Sequence, residues 1–256
     1  MFGFQKRFRI CELFGIPVYL DLSTIFLALM FLQAGDIAFA VGVAFLLMVS
    51  IVLHELGHSL VAHCFGCETR SIVLTVIGGC ASLERMPRKG WQEFLVAAAG
   101  PMVSILLGVG FGLAYCFLPE DKLISVIVWA SASINVGLAL FNLLPGFPMD
   151  GGRIFRSVMR LFLSRPKATY VAMVVGRVAA AFLVFGPMLG VTHIWIIPIN
   201  GNIFLRVLIA FMIWTEGYRE YQLALMESSW DYEDYRARVS PPPYGGDGDD
   251  VDVTRS

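Results

Sequence analysis

Long apolar stretches separated by short polar connections dominate this chain. Their number and length predict about six membrane-spanning helices. In chain order we expect these helices at residues 18–32, 37–62, 93–118, 123–144, 169–186 and 203–214. Residues 67–90 differ, because 69–76 is rich in β-branched residues and is broken by Gly78-Gly79, after which 81–83 can return as a strand. This segment predicts a β-hairpin between the second and third helices.

The pattern therefore predicts an all-α polytopic membrane protein with one small membrane-associated β-hairpin. We place the membrane domain at residues 1–215 and the part that carries the chemistry at about residues 37–152. From Glu216 onward the chain becomes charged and aromatic, which is typical of an interfacial helix. The proline run at 241–243 and the Gly/Asp-rich segment after it predict a disordered acidic tail within 216–256.

Composition supports the membrane interpretation and excludes several others. Of 256 residues, 57% are hydrophobic and only 15% are charged, and mean hydropathy is +0.71. A net charge of −1 gives no general attraction to nucleic acid. The five cysteines are odd in number and widely spaced, so they do not predict a disulfide framework. We interpret the Cys64-x-x-Cys67 pair as structural rather than as a redox or metal pair.

Basic residues predict the orientation of the chain in the membrane. With six spans and the N-terminus inside, the outer connections hold only Lys122. The inner segments hold Lys6, Arg7, Arg9, Arg70, Arg85, Arg88, Lys89, Arg153, Arg156, Arg160, Arg165 and Lys167. This asymmetry predicts that both termini are cytoplasmic. We interpret the basic residues between 153 and 167 as topology signals and lipid-headgroup contacts.

The chemistry is concentrated in the sequence His54-Glu55-Leu56-Gly57-His58, which lies inside the second apolar stretch. On a helix, histidines four positions apart share one face and can bind one zinc ion. Three ionisable residues at membrane depth are costly, so together they indicate a functional site. Glu55 would act as general base, accepting a proton from water activated by the metal and passing it to the leaving amine.

A third metal ligand must come from another part of the chain, because catalytic zinc usually has three protein ligands. Asp150 follows Asn142 and two prolines at the inner end of the fourth predicted span, at the depth of the histidines. We predict His54, His58 and Asp150 as the ligands of one Zn²⁺ per chain. Asn142 lies one or two turns earlier, where its amide could bond a developing oxyanion or the substrate backbone.

These two motifs resemble the signature of the site-2 proteases, which are intramembrane zinc metalloproteases of peptidase family M50. The resemblance covers roughly residues 15–214. It implies the roles given above: His54, His58 and Asp150 as zinc ligands, Glu55 as the catalytic acid/base, and Asn142 as a residue that assists at the site. Residues 78–81, Gly-Gly-Cys-Ala, resemble the family's element that is thought to pair with extended substrate, and 99–101 resemble an element of its third core helix. The chain resembles minimal members that carry neither a PDZ nor a nucleotide-binding regulatory domain.

The resemblance implies a zinc-dependent endopeptidase that cleaves a membrane-spanning protein in or near its transmembrane segment, in regulated intramembrane proteolysis. The expected location is the bacterial inner membrane, with lipid and a membrane-protein substrate as partners and no nucleic acid. One alternative is a metal transporter, which would require polar residues on a path to the outer face. Another is an inactive relative that binds membrane partners, against which the intact Glu55 argues.

Overall fold

The computed structural model describes residues 7–21, 37–75, 78–83, 87, 89–119, 123–190, 193–194, 197–198 and 202–239. The described helices are α1 (Ile37–Cys64), α2 (Gly90–Tyr115), α3 (Leu123–Asn142), α4 (Asp150–Met159), α5 (Arg165–Phe185) and α6 (Ile203–Val239). A 3₁₀ helix at Gly186–Leu189 extends α5. The fold is therefore mostly helical, as the apolar pattern predicts.

A small sheet accompanies the helices. Its four strands are β1 (Arg7–Leu13), β2 (Ile16–Asp21), β3 (Thr69–Thr75) and β4 (Gly78–Leu83), in that spatial order. The pairs β1–β2 and β3–β4 are antiparallel, whereas β2 and β3 run parallel, with Val18 opposite Ile72. A separate two-stranded pair joins His193–Ile194 to Ile197–Pro198. The predicted hairpin is thus present as β3–β4, within a larger sheet.

Four described helices are long and apolar enough to cross a membrane: Val41–Cys64, Gly90–Tyr115, Leu123–Asn142 and Arg165–Leu189. They correspond to the second to fifth predicted spans. Large apolar side chains on these helices point outward, such as Phe45, Leu106 and Trp129, which are 64%, 65% and 58% exposed. Apolar surface of this extent suits contact with lipid tails rather than water. The polytopic membrane fold is confirmed, with four spans in the described part of the chain.

The predicted first span begins in the wrong place. Residues from Val18 to Asp21 belong to β2 rather than to a helix. Val18 is buried against Ile51 of α1 and against Ile72 and Leu74 of β3, so tertiary pairing determines the conformation of this β-branched segment. The rest of that predicted span, residues 22–36, lies outside the described residues.

Two other local predictions need correction. The returning strand begins at Gly78 rather than at residue 81, because Gly78 and Gly79 already pair with β3. The charged segment after Glu216 does not form a separate helix, since α6 continues without a break from Ile203 to Val239. At 37 residues, α6 is about 55 Å long, which exceeds the roughly 30 Å of a hydrocarbon core. The predicted acidic tail lies outside the described residues.

Helices α1 and α2 approach each other closely near the candidate site. A Cβ atom at Gly57 would lie 2.8 Å from Val103 Cγ2 and 3.0 Å from the carbonyl oxygen of Ala99, so only glycine fits there. On its other side α1 packs against the sheet through Ile51. Helix α1 is therefore held between α2 and the sheet. Helix α4, which begins after the loop that follows α3, also packs against α2.

Candidate metal centre

The two motif histidines lie in the last three turns of α1. Leu, Val and Ala around them favour a helix in an apolar setting, and the four-residue spacing brings both imidazole rings to one face. Both are buried, with His54 2% and His58 7% exposed. The ring centroids are 4.9 Å apart and the rings are nearly perpendicular. The two Nε2 atoms lie 3.2 Å apart and face the same point.

The third residue is supplied by the start of α4. Asp150 is the first residue of that helix, where a carboxylate is favoured by the helix dipole. The glycines after it allow the preceding loop to fold back on the helix. A Cβ at Gly151 would lie 2.3 Å from the Leu144 carbonyl oxygen, and one at Gly152 would lie 2.6 Å from the Gly146 carbonyl carbon. The Asp-Gly-Gly sequence is therefore a steric requirement of this turn.

Three donor atoms converge in this centre. Asp150 Oδ2 lies 3.1 Å from His54 Nε2 and 3.1 Å from His58 Nε2, which completes a triangle with the 3.2 Å separation of the two nitrogens. Tetrahedral zinc with bonds of 2.0–2.1 Å places neighbouring ligand atoms about 3.3 Å apart. The triangle therefore has the size that one zinc ion requires, and these residues can hold one metal ion.

Hydrogen bonds at the far side of each ring determine which nitrogen faces the triangle. His58 Nδ1 donates to the carbonyl oxygen of Val96, at 2.7 Å, and His54 Nδ1 lies 2.9 Å from Ser104 Oγ. A carbonyl can only accept, so the neutral His58 ring has its proton on Nδ1 and a lone pair on Nε2. With His54 Nδ1 donating to Ser104, both Nε2 atoms present lone pairs, as metal ligands do.

The electrostatics of the triangle favour a cation. Two imidazole lone pairs and a carboxylate oxygen within 3.2 Å repel one another unless a positive charge lies among them. A cation among these three atoms would remove this repulsion, so the donor set fits a metal ion.

Gly100 of α2 forms one wall of the triangle. A Cβ atom there would lie 2.2 Å from His58 Nε2 and 2.6 Å from His54 Nε2, far inside van der Waals contact. Any larger residue would occupy the space toward which both ring nitrogens point. Glycine at this position is thus part of the centre, although its role cannot be inferred from the two ligand motifs.

The other two predicted site residues lie outside the triangle. Glu55 follows His54 on α1, is half-buried, and lies close enough to His58 to interact with it electrostatically. Asn142 is the last residue of α3 and donates from its amide nitrogen to the Leu138 carbonyl oxygen at 3.0 Å. A second amide N–H of Asn142 is not used by that bond. The structure thus brings three of the five predicted residues into one cluster and leaves the roles of the other two as predictions.

Motif analysis misses the residues that orient the ligands. Ser104 and Gly100 are small residues four positions apart in α2, and such a spacing in a spanning helix is a recognisable sign of close packing. It does not reveal that the neighbour is a histidine pair. Cys64 and Cys67, farther along the chain, form no disulfide; Cys64 is exposed and Cys67 is buried.

We expect Ser104→Ala to weaken metal binding by about tenfold, because the variant leaves the His54 ring without its oriented hydrogen-bond partner. The measurement is zinc affinity by competition with a chromophoric chelator. Ser131→Ala is the matched control, since Ser131 is equally buried but its hydroxyl donates to Ile127 within its own helix. Equal affinities of the two variants would show that the Ser104 hydroxyl does not orient His54.

Comparison with known proteins agrees with this geometry. The sequence model of peptidase family M50 matches residues 42–127 and 118–186. Zinc metalloprotease MJ0392 of Methanocaldococcus jannaschii is 34% identical over 183 residues, which cover 70% of this chain and 53% of that protein. The Synechocystis protein sll0528, which also carries the words zinc metalloprotease in its name, is 41% identical over 169 residues, or 60% of this chain and 45% of that protein.

A solved structure, the site-2 protease from Methanocaldococcus jannaschii, superposes on 84% of this chain and 95% of that one, with a TM-score of 0.62 and 28% identity. The chain spans about half the length of the two curated relatives just described. The expectation of a zinc site is confirmed by the relatives' names together with the three converging donors.

Proposed function

Because the chain belongs to peptidase family M50, we propose that it is an intramembrane zinc metalloendopeptidase. Its substrate class is a membrane-spanning protein, cleaved at a peptide bond in or near the transmembrane segment. The observation that carries this proposal is the buried triangle of His54, His58 and Asp150, whose edges match the ligand spacing of one zinc ion. Names of two relatives and the likeness to a solved site-2 protease support it.

The chain's own residues divide the chemistry. His54, His58 and Asp150 would hold the zinc, which supplies Lewis acidity that lowers the pKa of water and polarises a carbonyl. Glu55 accepts a proton from the attacking water and donates it to the nitrogen of the departing peptide. Asn142, whose amide nitrogen has one N–H not used by Leu138, stabilises the developing oxyanion or the substrate backbone.

An extended substrate segment has a natural partner in β4. A helical substrate must unwind before its carbonyl can be attacked, and an open strand edge can bind the unwound backbone. Among the strands that the structure describes, β3 lies between β2 and β4, and β4 is at the edge of the sheet. Strand β4 also packs against α1. The Gly-Gly start of β4 lacks side chains that would keep another backbone at a distance.

The remaining sequence expectations are part of the proposal. We propose that both termini lie in the cytoplasm of a bacterial cell and that the protease domain covers residues 1–215. We also propose a role in regulated intramembrane proteolysis. Helix α6 runs across residue 215 without interruption, so the domain and the segment that follows it share one helix. The bilayer and a membrane-spanning substrate are the expected partners.

The first test is the zinc content of the purified chain and of its Asp150→Asn variant, since it needs no substrate. We expect about one zinc per chain in the wild type and at least a tenfold weaker affinity in the variant, because an amide is a poor neutral substitute for a carboxylate ligand. Glu216→Gln is the control, since Glu216 is half-buried on α6 and pairs only with Arg219 among the described contacts. Full zinc in Asp150→Asn would remove Asp150 from the site.

A further inference from the structure

A buried cluster of charges lies next to the metal centre. Arg156 of α4 and Glu93 of α2 are each 1% exposed, and Arg156 Nε donates to Glu93 Oε1 at 2.7 Å. The other Glu93 oxygen accepts from Arg160 at 2.8 Å, and Arg156 also donates to Glu220 of α6 at 2.8 Å. Arg156 therefore joins three helices. The sequence interpretation of Arg156 as a lipid-headgroup contact is wrong, because its side chain is buried against these partners.

Charges at such depth are costly unless they are paired and fully hydrogen-bonded. Burial alone would lower the pKa of Arg156, but the charges of Glu93 and Glu220 raise it above its ordinary value. Burial alone would raise the pKa of Glu220, and Arg156 lowers it instead. Arg156 and Glu220 are therefore both charged, and the hydrogen bonds of Arg156 connect α4 to α2 and α6.

The bonds of Arg156 connect the part of the metal centre that lies on α2 with the part that lies on α4. On α2, Glu93 lies one turn before Val96, whose carbonyl holds His58, and two turns before Gly100, which touches both rings. On α4, Arg156 lies six residues after Asp150, about 9 Å along the helix. Its guanidinium also lies 4.9 Å from the centroid of Phe147, in the loop that leads to Asp150.

We propose that Arg156 and Glu93 are positioning residues that set the distance between Asp150 and the two histidines. Glu93 of α2 pairs with both Arg156 and Arg160, and without these ion pairs Asp150 Oδ2 would no longer be held 3.1 Å from both ring nitrogens. Residues outside the ligand set that fix ligand orientation change metal affinity by about 10- to 100-fold when removed. This inference depends on the proposed function only in taking His54, His58 and Asp150 as zinc ligands.

The test separates positioning from general stability. Removing one partner leaves a buried unpaired charge and destabilises the fold, whereas replacing both with neutral side chains of similar size is often well tolerated. The informative variant is therefore the double substitution Glu93→Gln/Arg156→Met. Arg160 and Glu220 each lose a partner in this variant, but their side chains are 16% and 25% exposed, so water can solvate their charges. Its zinc affinity is measured by chelator competition, and its thermal unfolding is followed without zinc. The visible absorption of cobalt(II) bound in place of zinc reports ligand geometry.

We expect the double variant to unfold within a few degrees of the wild type, to bind zinc about tenfold more weakly, and to give an altered cobalt spectrum. Arg156→Lys keeps the charge but lacks the planar fork that reaches two carboxylates, so it should fold and show a smaller loss of affinity. Wild-type zinc affinity and cobalt spectrum in either variant would overturn the proposal.

Two controls define the specificity of the effect. Arg165→Met removes an ion pair with Glu227 that also joins a neighbouring helix to α6 but involves neither α2 nor α4, and it should leave zinc affinity unchanged. Glu220→Gln removes the link to α6 while leaving the bond to Glu93, and it should cost less affinity than the double variant. An equal or larger loss in Glu220→Gln would assign the positioning to α6 and overturn the role of Glu93.

The positioning role of Arg156 and Glu93 and the proposed function can fail separately, and the two failures give different results. If Asp150→Asn loses zinc but the double variant does not, the metal site stands and only the positioning role is wrong. If Asp150→Asn retains zinc, the ligand set itself is wrong. The outcomes are distinguishable because every measurement is made on the same purified full chain with zinc as the probe.

Discussion

Replacing Glu55 with Gln should lower the rate of peptide-bond cleavage by about a hundred- to ten-thousand-fold. Glutamine has nearly the same shape as glutamate but cannot accept a proton at neutral pH, so only proton transfer is lost. Glu55 lies outside the triangle of three donor atoms, so zinc content should stay at about one ion per chain. The measurement is cleavage of single-span membrane proteins by the purified chain in liposomes, beside the zinc content of each preparation.

This variant also separates the rival functions. A metal transporter would still move zinc into liposomes after Glu55→Gln, and an inactive relative would cleave nothing even as wild type. Glu68→Gln is the control, since Glu68 is exposed and lies in the connection after α1, away from the ligand triangle. A cleavage rate unchanged by Glu55→Gln would mean that another group transfers the proton.

Gly100→Ala should abolish or strongly weaken zinc binding, by about a hundredfold or more, although no ligand is changed. The added methyl carbon would lie 2.2 Å from His58 Nε2 and 2.6 Å from His54 Nε2, on the side where the metal must lie. Helix backbones cannot separate cheaply here, since Gly57 already packs closely against Ala99 and Val103. The measurement is zinc affinity of the purified variant by chelator competition.

The matched control is Gly110→Ala, in the same helix. A Cβ at Gly110 would meet no atom within 4 Å, so the substitution should leave zinc binding unchanged and slightly favour the helix. Wild-type zinc affinity in Gly100→Ala would mean that α2 can move away from the histidines without cost. The close contact would then have no part in shaping the site.

The metal centre was predictable because its information is local. The spacing of His54 and His58 brings them to one face of any helix, and the helix is dictated by the apolar residues around them. Asp150 was predictable from topology, since two spans that run in the same direction place their ends at one depth. The role of Asn142 stays a prediction, and its amide bond to its own helix could not be foreseen from sequence.

The parts that were not predictable depend on contacts between distant segments. Five basic residues between 153 and 167 all fit the positive-inside pattern. Nothing in the pattern distinguishes Arg156 and Arg160, which both bond to Glu93, from the other three. The strand at Ile16–Asp21 resembles the start of an apolar span until its pairing with β3 is known. Local propensity is similar in both cases, and the tertiary partner decides the outcome.

The parallel pairing of β2 with β3 has a consequence for the order in which the chain folds. Val18 and Ile72 are 54 positions apart, with the whole of α1 between them. During synthesis the N-terminal hairpin β1–β2 forms early, because its contacts are local, but it stays unpaired on one side until α1 and β3 have emerged. Completion of the sheet is therefore a late step, and it comes only after the helix that carries both histidines has been made.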